Sequence, residues 1–147
     1  MKNVGKVIHL FISQKGHKKR IKKFSFSLDK KGIIEDKFYD KDIQRSVLIT
    51  SIDSYILTQK HNISIPQGAL GENLLINYNP YQLSPGVKLH IGEDVILEIS
   101  QYCTICDHLS IIDKKVPTLL KNDRGIFAKV LKEGVIAEGD NIYVSKN

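Results

Sequence analysis

Two cysteines and a histidine stand within one short stretch, Cys103-Thr104-Ile105-Cys106-Asp107-His108, at the end of the strand-like run Val95-Ile96-Leu97-Glu98-Ile99. Thiols at this spacing can ligate a metal, form a redox pair or fill a core as small hydrophobes. A closed zinc site from Cys103, Cys106 and His108 has no identified fourth ligand, and no second Cys-x-x-Cys exists in the chain. A thioredoxin-like pair belongs in a βαβ setting, which the order of elements does not display. Covalent haem is disfavoured, because Asp107 separates Cys106 from His108 and breaks the required Cys-x-x-Cys-His.

A second feature is charge. The net charge is +6, from 22 Lys and Arg against 16 Asp and Glu. Much of the excess sits in His17-Lys18-Lys19-Arg20-Ile21-Lys22-Lys23. Such a tract attracts phosphate-bearing ligands or acidic partners; its blander role is a solvated loop or an edge strand protected by lysines. Nucleic acid is not expected as a partner, since no aromatic-rich strand pair accompanies the lysines.

The elements that must hold these groups are short and mostly strand-like. At 147 residues, 41% of them hydrophobic, the chain is the size of one ordinary domain with its own core. Val4 to Ser13 reads as a strand, and Phe24-Ser25-Phe26-Ser27-Leu28 alternates with period two. Asp29-Lys30-Lys31-Gly32 is a turn, and 33–42 reads as a surface loop. Ser46 to Thr50 suits a strand. Ser51 is placed to cap a helix running to about His61, with Ile52, Tyr55 and Ile56 on one face.

Lys88 to Leu97 and Val135 to Val144 each read as strand, Gly-containing turn and strand, in a tight hairpin or a sheet corner. A helix is expected between Leu109 and Lys121, with Pro117 in its first turn, followed by a strand from Arg124 to Leu131. Short strands, two modest helices and no βαβ rhythm predict a mainly β fold, a closed antiparallel-rich β-barrel with short flanking helices. No linker divides the chain, so 1–147 is read as a single domain. No apolar run approaches the ~20 residues of a membrane span. The start Met1-Lys2-Asn3-Val4 resembles neither a signal nor a transit peptide, so a cytoplasmic location with reduced thiols is expected.

Several motifs in order resemble the MOSC domain family, named for the C-terminal part of molybdenum cofactor sulfurases, over nearly the whole chain. Gly5-Lys6-Val7 opens the first strand, and Gly32-Ile33-Ile34-Glu35-Asp36 resembles the family's "GD" loop. Arg45-Ser46-Val47-Leu48-Ile49 resembles its Arg-containing strand. Gly68-Ala69-Leu70-Gly71-Glu72-Asn73-Leu74 is similar to its "G-x-x-GEN-L" signature. Ile91-Gly92-Glu93-Asp94 and Leu97-Glu98-Ile99-Ser100 lead to the family cysteine, and Arg124-Gly125-Ile126 and Gly139-Asp140 close the set.

The resemblance implies a β-barrel that binds molybdenum cofactor, a pterin dithiolene carrying a phosphate. Characterised relatives reduce N-hydroxylated substrates, and in other settings the domain is proposed to carry or transfer sulfur. Cys106 aligns with the cysteine expected to ligate molybdenum and is the expected catalytic residue. Cys103 matches a subset of members, and Ile105 stands where Pro is frequent.

Arg45, Asn73, Arg124, Lys18 and Lys19 are the expected cofactor contacts, with Arg20 able to reach the same anion. Backbone N–H groups from Gly68 to Asn73 are further candidate donors. The bland alternatives stay open: a turn for Glu72 and Asn73, a surface salt bridge for Arg124, a buried small hydrophobe for Cys106. Family loops often read Gly-Asp-Arg-His where this chain has Glu35-Asp36-Lys37-Phe38. The implied function is reduction of an N-hydroxylated small-molecule substrate at Cys-ligated molybdenum, with a separate electron-donor protein. The alternative is a non-catalytic cofactor holder, or a carrier of sulfur on Cys106 as persulfide.

Overall fold

The computed structural model describes residues 1–103 and 112–145. Its frame is a closed barrel of seven strands. Around the barrel run β1 (Lys2–Ile12), β6 (Leu74–Ile76), β5 (Val47–Ser51), β9 (Ile126–Lys132), β8 (Val95–Tyr102), β7 (Lys88–Ile91) and β11 (Asn141–Ser145). Closure comes from β1, whose first half pairs with β11 and second half with β6. A ladder that closes on itself leaves no unpaired edge in the frame. The short β2 (Ile21–Lys23) extends the sheet beside β1. A separate three-stranded sheet joins β10 (Gly134–Ala137), β3 (Ser25–Asp29) and β4 (Gly32–Ile33).

Strand alternation sorts the side chains. Leu10 and Ile12, Val47 and Ile49, Leu74 and Ile76, and Ile126, Ala128 and Val130 fill the barrel core. Phe26, Leu28 and Ile136 of the small sheet pack into the same cluster. The intervening residues face outward, as a two-residue period requires. Phe11 and Leu75 join a second core with Tyr55, Leu70, Val116 and Leu120, under the helices.

Four local expectations are changed or narrowed. First, β5 and β6 are parallel and joined through α1 (Ile52–Lys60), so one βαβ crossover does exist. Its second strand has only three residues and follows a long irregular stretch, which hides the rhythm in the sequence. Second, Ser51 caps α1 as expected, accepting from Asp53 N at 3.0 Å, but Ile56 is 44% exposed. The buried stripe runs instead through Ser54, Tyr55 and Thr58. Third, the segment from Val135 to Val144 is a corner: β10 pairs with β3, and β11 with β1 and β7. Fourth, the later helix, α2, spans only Val116–Leu119 among the described residues. No helix of the described residues is long and apolar enough to cross a membrane.

Candidate functional site

The site grows from the outer face of two barrel strands. Leu48 of β5 lies opposite Phe127 of β9 in antiparallel register. Because their neighbours point into the barrel, these two side chains point out and form a small cluster with Cys103. The stretches 13–20, 36–46 and 66–73 contribute the remaining walls of a cavity of about 740 Å³. Lys18, Lys19, Arg45, Asn73, Cys103 and Arg124 all line it. The residues singled out by the motifs therefore converge on one space, although they come from separate parts of the chain.

At its inner end two guanidinium groups flank Gly71. A Cβ placed on Gly71 would lie 3.6 Å from Arg124 Nη2 and 3.9 Å from Arg20 Nη2, and its φ of +91° favours glycine. Arg124 is 6% exposed, so it is no surface salt-bridge residue. Its Nε and Nη2 donate to Leu70 O at 3.4 and 3.3 Å, which fixes the plane of the fork. Arg20 Nη1 is buried and has no hydrogen-bond partner among the described residues. The nearest carboxylate oxygen, Asp36 Oδ1, is 4.0 Å away, beyond hydrogen-bond reach. Burial lowers the Arg20 pKa and nearby Arg124 lowers it further, while Asp36 and Glu72 oppose the shift. The group nevertheless stays cationic, given the basicity of guanidinium.

The loop around Asp36, whose carboxylate lies nearest Arg20, is itself anchored. Asp36 accepts from Ser13 N at 2.6 Å, from Phe38 N at 3.0 Å and from Asn73 Nδ2 at 3.4 Å. Asn73 also receives Leu48 N at 3.0 Å and donates to Phe11 O at 3.2 Å. Its amide thus ties β1, β5 and the Asp36 loop together while its side chain lines the cavity. Of the residues that depart from the family loop, Glu35 pairs with Lys23 at 3.2 Å. Lys37 and Phe38 line the cavity, with the Lys37 ammonium 5.0 Å from the Phe38 ring centroid.

The expectation that backbone donors of 68–73 face an anion is corrected. Gly68 N donates to Tyr55 Oη and Glu72 Oε2, Leu70 N to Tyr55 Oη, and Asn73 N to Leu48 O. Ala69 N and Gly71 N close turns on Pro66 O and Gly68 O. These donors are spent on shaping the loop, so anion recognition falls to side chains.

Beneath that loop Tyr55 Oη donates to Glu72 Oε2 at 2.5 Å, and Glu72 is fully buried. Burial raises the Glu72 pKa, against the opposing pull of its Tyr55 and Gly68 hydrogen bonds and of Arg20. A carboxyl with a raised folded-state pKa binds more protons folded than unfolded. Its contribution to stability is present at low pH and is lost as pH rises from about 4 through the raised value. Glu72→Gln, which stays neutral, is therefore expected to gain stability relative to the native chain as pH rises from 4 to 8. Thermal midpoints of both proteins across that range check it; a constant difference contradicts it.

Arg45 ends the 3₁₀ turn Ile43–Arg45, and its guanidinium carbon lies 4.7 Å from the Phe127 ring centroid. Cys103 is 7% exposed in the cavity wall, with its N–H bonded to Gly125 O at 3.0 Å. Cys106 and His108 lie outside the described residues. Arg20, whose side chain is 18% exposed, was one of several cations in a basic run, and nothing in the spacing marks it as the one that turns inward. Asp36 stood in the stretch that resembles the family's "GD" loop, without a role of its own, and Tyr55 was marked only as a helix-face residue.

The family model of the MOSC domain matches residues 22–143. The chain belongs to the MOSC domain family. Among solved structures this MOSC domain is similar to the YuaD protein of Bacillus subtilis, with a TM-score of 0.86 and 17% identity, covering 97% of this chain and 96% of that one. YiiM of Geobacillus stearothermophilus gives 0.77 at 14% identity, covering 96% of this chain and 75% of the other. YiiM of Escherichia coli gives 0.72 at 16% identity, covering 100% and 71%. No curated protein sequence matches the chain. At these identities the likeness to solved structures speaks for the fold. The MOSC domain is associated with molybdenum cofactor, which makes the chemistry of the cavity the next question.

Proposed function

We propose that this MOSC domain binds molybdenum cofactor in the cavity and reduces N-hydroxylated compounds there, with Cys106 as the thiolate ligand of molybdenum. The observation that carries this reading is Arg20 Nη1, buried in the cavity wall beside Arg124 and Gly71 with no hydrogen-bond partner among the described residues and its nearest carboxylate oxygen 4.0 Å away. A desolvated guanidinium donor costs free energy until an acceptor completes it. The phosphate of the cofactor is such an acceptor, and forked donors match its geometry. Lys18 and Lys19, also in the cavity lining, add charge to the same anion. Leu48, Phe127 and Cys103 give an apolar wall suited to a flat ring system.

When bound, the cofactor supplies a redox-active metal at which a thiolate is a suitable soft ligand. The reaction takes two electrons and two protons, breaks the N–O bond and releases its oxygen as water. Electrons come from a separate donor protein, because the chain holds neither a Rossmann fingerprint nor an Fe–S cysteine set. The chain's own residues bind and orient: the two arginines neutralise the phosphate, and the Leu48–Phe127 wall limits water.

The test is turnover of benzamidoxime by protein from a cofactor-producing host, with reduced methyl viologen as electron source. The expected result is benzamidine formation by the native chain and its loss in Cys106→Ala. A persulfide adduct on the intact protein, removed by reduction and accompanied by no turnover, would favour sulfur transfer instead.

A further inference from the structure

The cavity holds more positive charge than one phosphate can use. Seven lysine and arginine side chains line it against two aspartates. A phosphate monoester carries about −1.5 to −2, so roughly three positive charges are left over. That surplus remains after both aspartates are counted, although Asp36 is also engaged by backbone and amide donors and Asp42 caps the 3₁₀ turn through Gln44 N at 3.1 Å.

The three arginines have different surroundings: Arg20 and Arg124 lie by Gly71, and Arg45 lies on Phe127. The Leu48 side chain would lie 3.8 Å from a Cβ at Gly71 and packs with Phe127 and Cys103. Arg45 stacks on Phe127, and among the described residues no carboxylate lies within 4.0 Å of its guanidinium. A planar fork held on an aromatic face is oriented before any ligand arrives, which suits bidentate capture of an oxyanion. Arg45 is exposed at the mouth, whereas Arg124 is buried at the inner end. The motif resemblance implied a cofactor contact for Arg45, and its exposure also leaves it open to an incoming molecule.

We infer that the outer half of the cavity selects acidic substrates, with Arg45 on Phe127 receiving a carboxylate or phosphate of the molecule to be reduced. This inference rests on the reading of the cavity as a reductase site, but its test does not depend on turnover. Calorimetric titration of the purified protein would compare benzamidoxime, its para-carboxy analogue and its para-aminomethyl analogue. The native chain is expected to bind the carboxylate about tenfold more tightly than the neutral parent, the lower end for a charge-assisted hydrogen bond. Arg45→Gln, a change at an exposed position, should reduce that preference to about twofold or less, and Arg45→Glu should turn it toward the cationic analogue. A native protein without the preference, or one whose preference survives both substitutions, would overturn the inference. Absence of molybdenum and turnover would instead sink the reductase reading while leaving this binding result interpretable.

Discussion

Asp36→Ala is expected to destabilise the fold by about 3–5 kcal/mol, the range found when one partner of a buried charged pair is removed. The loss has two sources. Ser13 N loses its acceptor, at about 1–3 kcal/mol for a buried group left unsatisfied, and the half-buried Phe38 N loses its acceptor at smaller cost. Arg20 also loses the carboxylate nearest its buried nitrogen. Asp36→Asn keeps an acceptor oxygen and is expected to cost distinctly less. Urea unfolding midpoints of the three proteins check this; equal midpoints for the native chain and Asp36→Ala would show that the loop is not anchored as described.

Arg20→Gln is expected to give the opposite signature, weaker anion binding with little loss of stability. Asp36 keeps its Ser13, Phe38 and Asn73 donors when Arg20 is replaced, so the carboxylate is not left unsatisfied and the unliganded protein is expected to lose less stability than Asp36→Ala does. Binding should suffer, because charge-assisted hydrogen bonds contribute about 1.5–3 kcal/mol each. Affinity for inorganic phosphate at low salt is therefore expected to fall about 10- to 100-fold by calorimetry. Arg20→Lys should recover only part of it, since an ammonium keeps the charge without the fork. Equal phosphate affinity in native and Arg20→Gln proteins would remove Arg20 from the anion site.

The two substitutions separate what the loop does from what the cavity does, and they mark the limit of sequence reading. Period-two alternation was visible in Phe24 to Leu28 and in the strand after Arg124, and it led to the barrel because each strand buries one face. The parallel β5–β6 pairing was not visible, since register between strands separated by a helix and an irregular stretch leaves no local pattern. The motif residues Arg45, Asn73 and Arg124 do reach one cavity. Their individual roles depend on partners distant in sequence. Asn73 is committed to Leu48, Phe11 and Asp36, and Arg124 to Leu70.

Arg20 could not be told from Lys18 and Lys19 within a basic run, because loop backbone has no fixed period to say which side chain turns inward. The Tyr55–Glu72 pair is likewise a tertiary event, joining a helix to the loop that shapes Gly71. Exposure decides the contrast at the mouth. Arg45 and the lysines carry charge that sequence alone can count, but only the stacking on Phe127 distinguishes a held guanidinium from a solvated one.

The central claim is that the cavity holds molybdenum cofactor with Cys106 on the metal. Its most direct test is the molybdenum content per chain of the native protein and of Cys106→Ala, each expressed in a cofactor-producing host and purified identically. The account predicts molybdenum approaching one atom per native chain and a marked loss in Cys106→Ala. No molybdenum in either protein, or equal amounts in both, would contradict it.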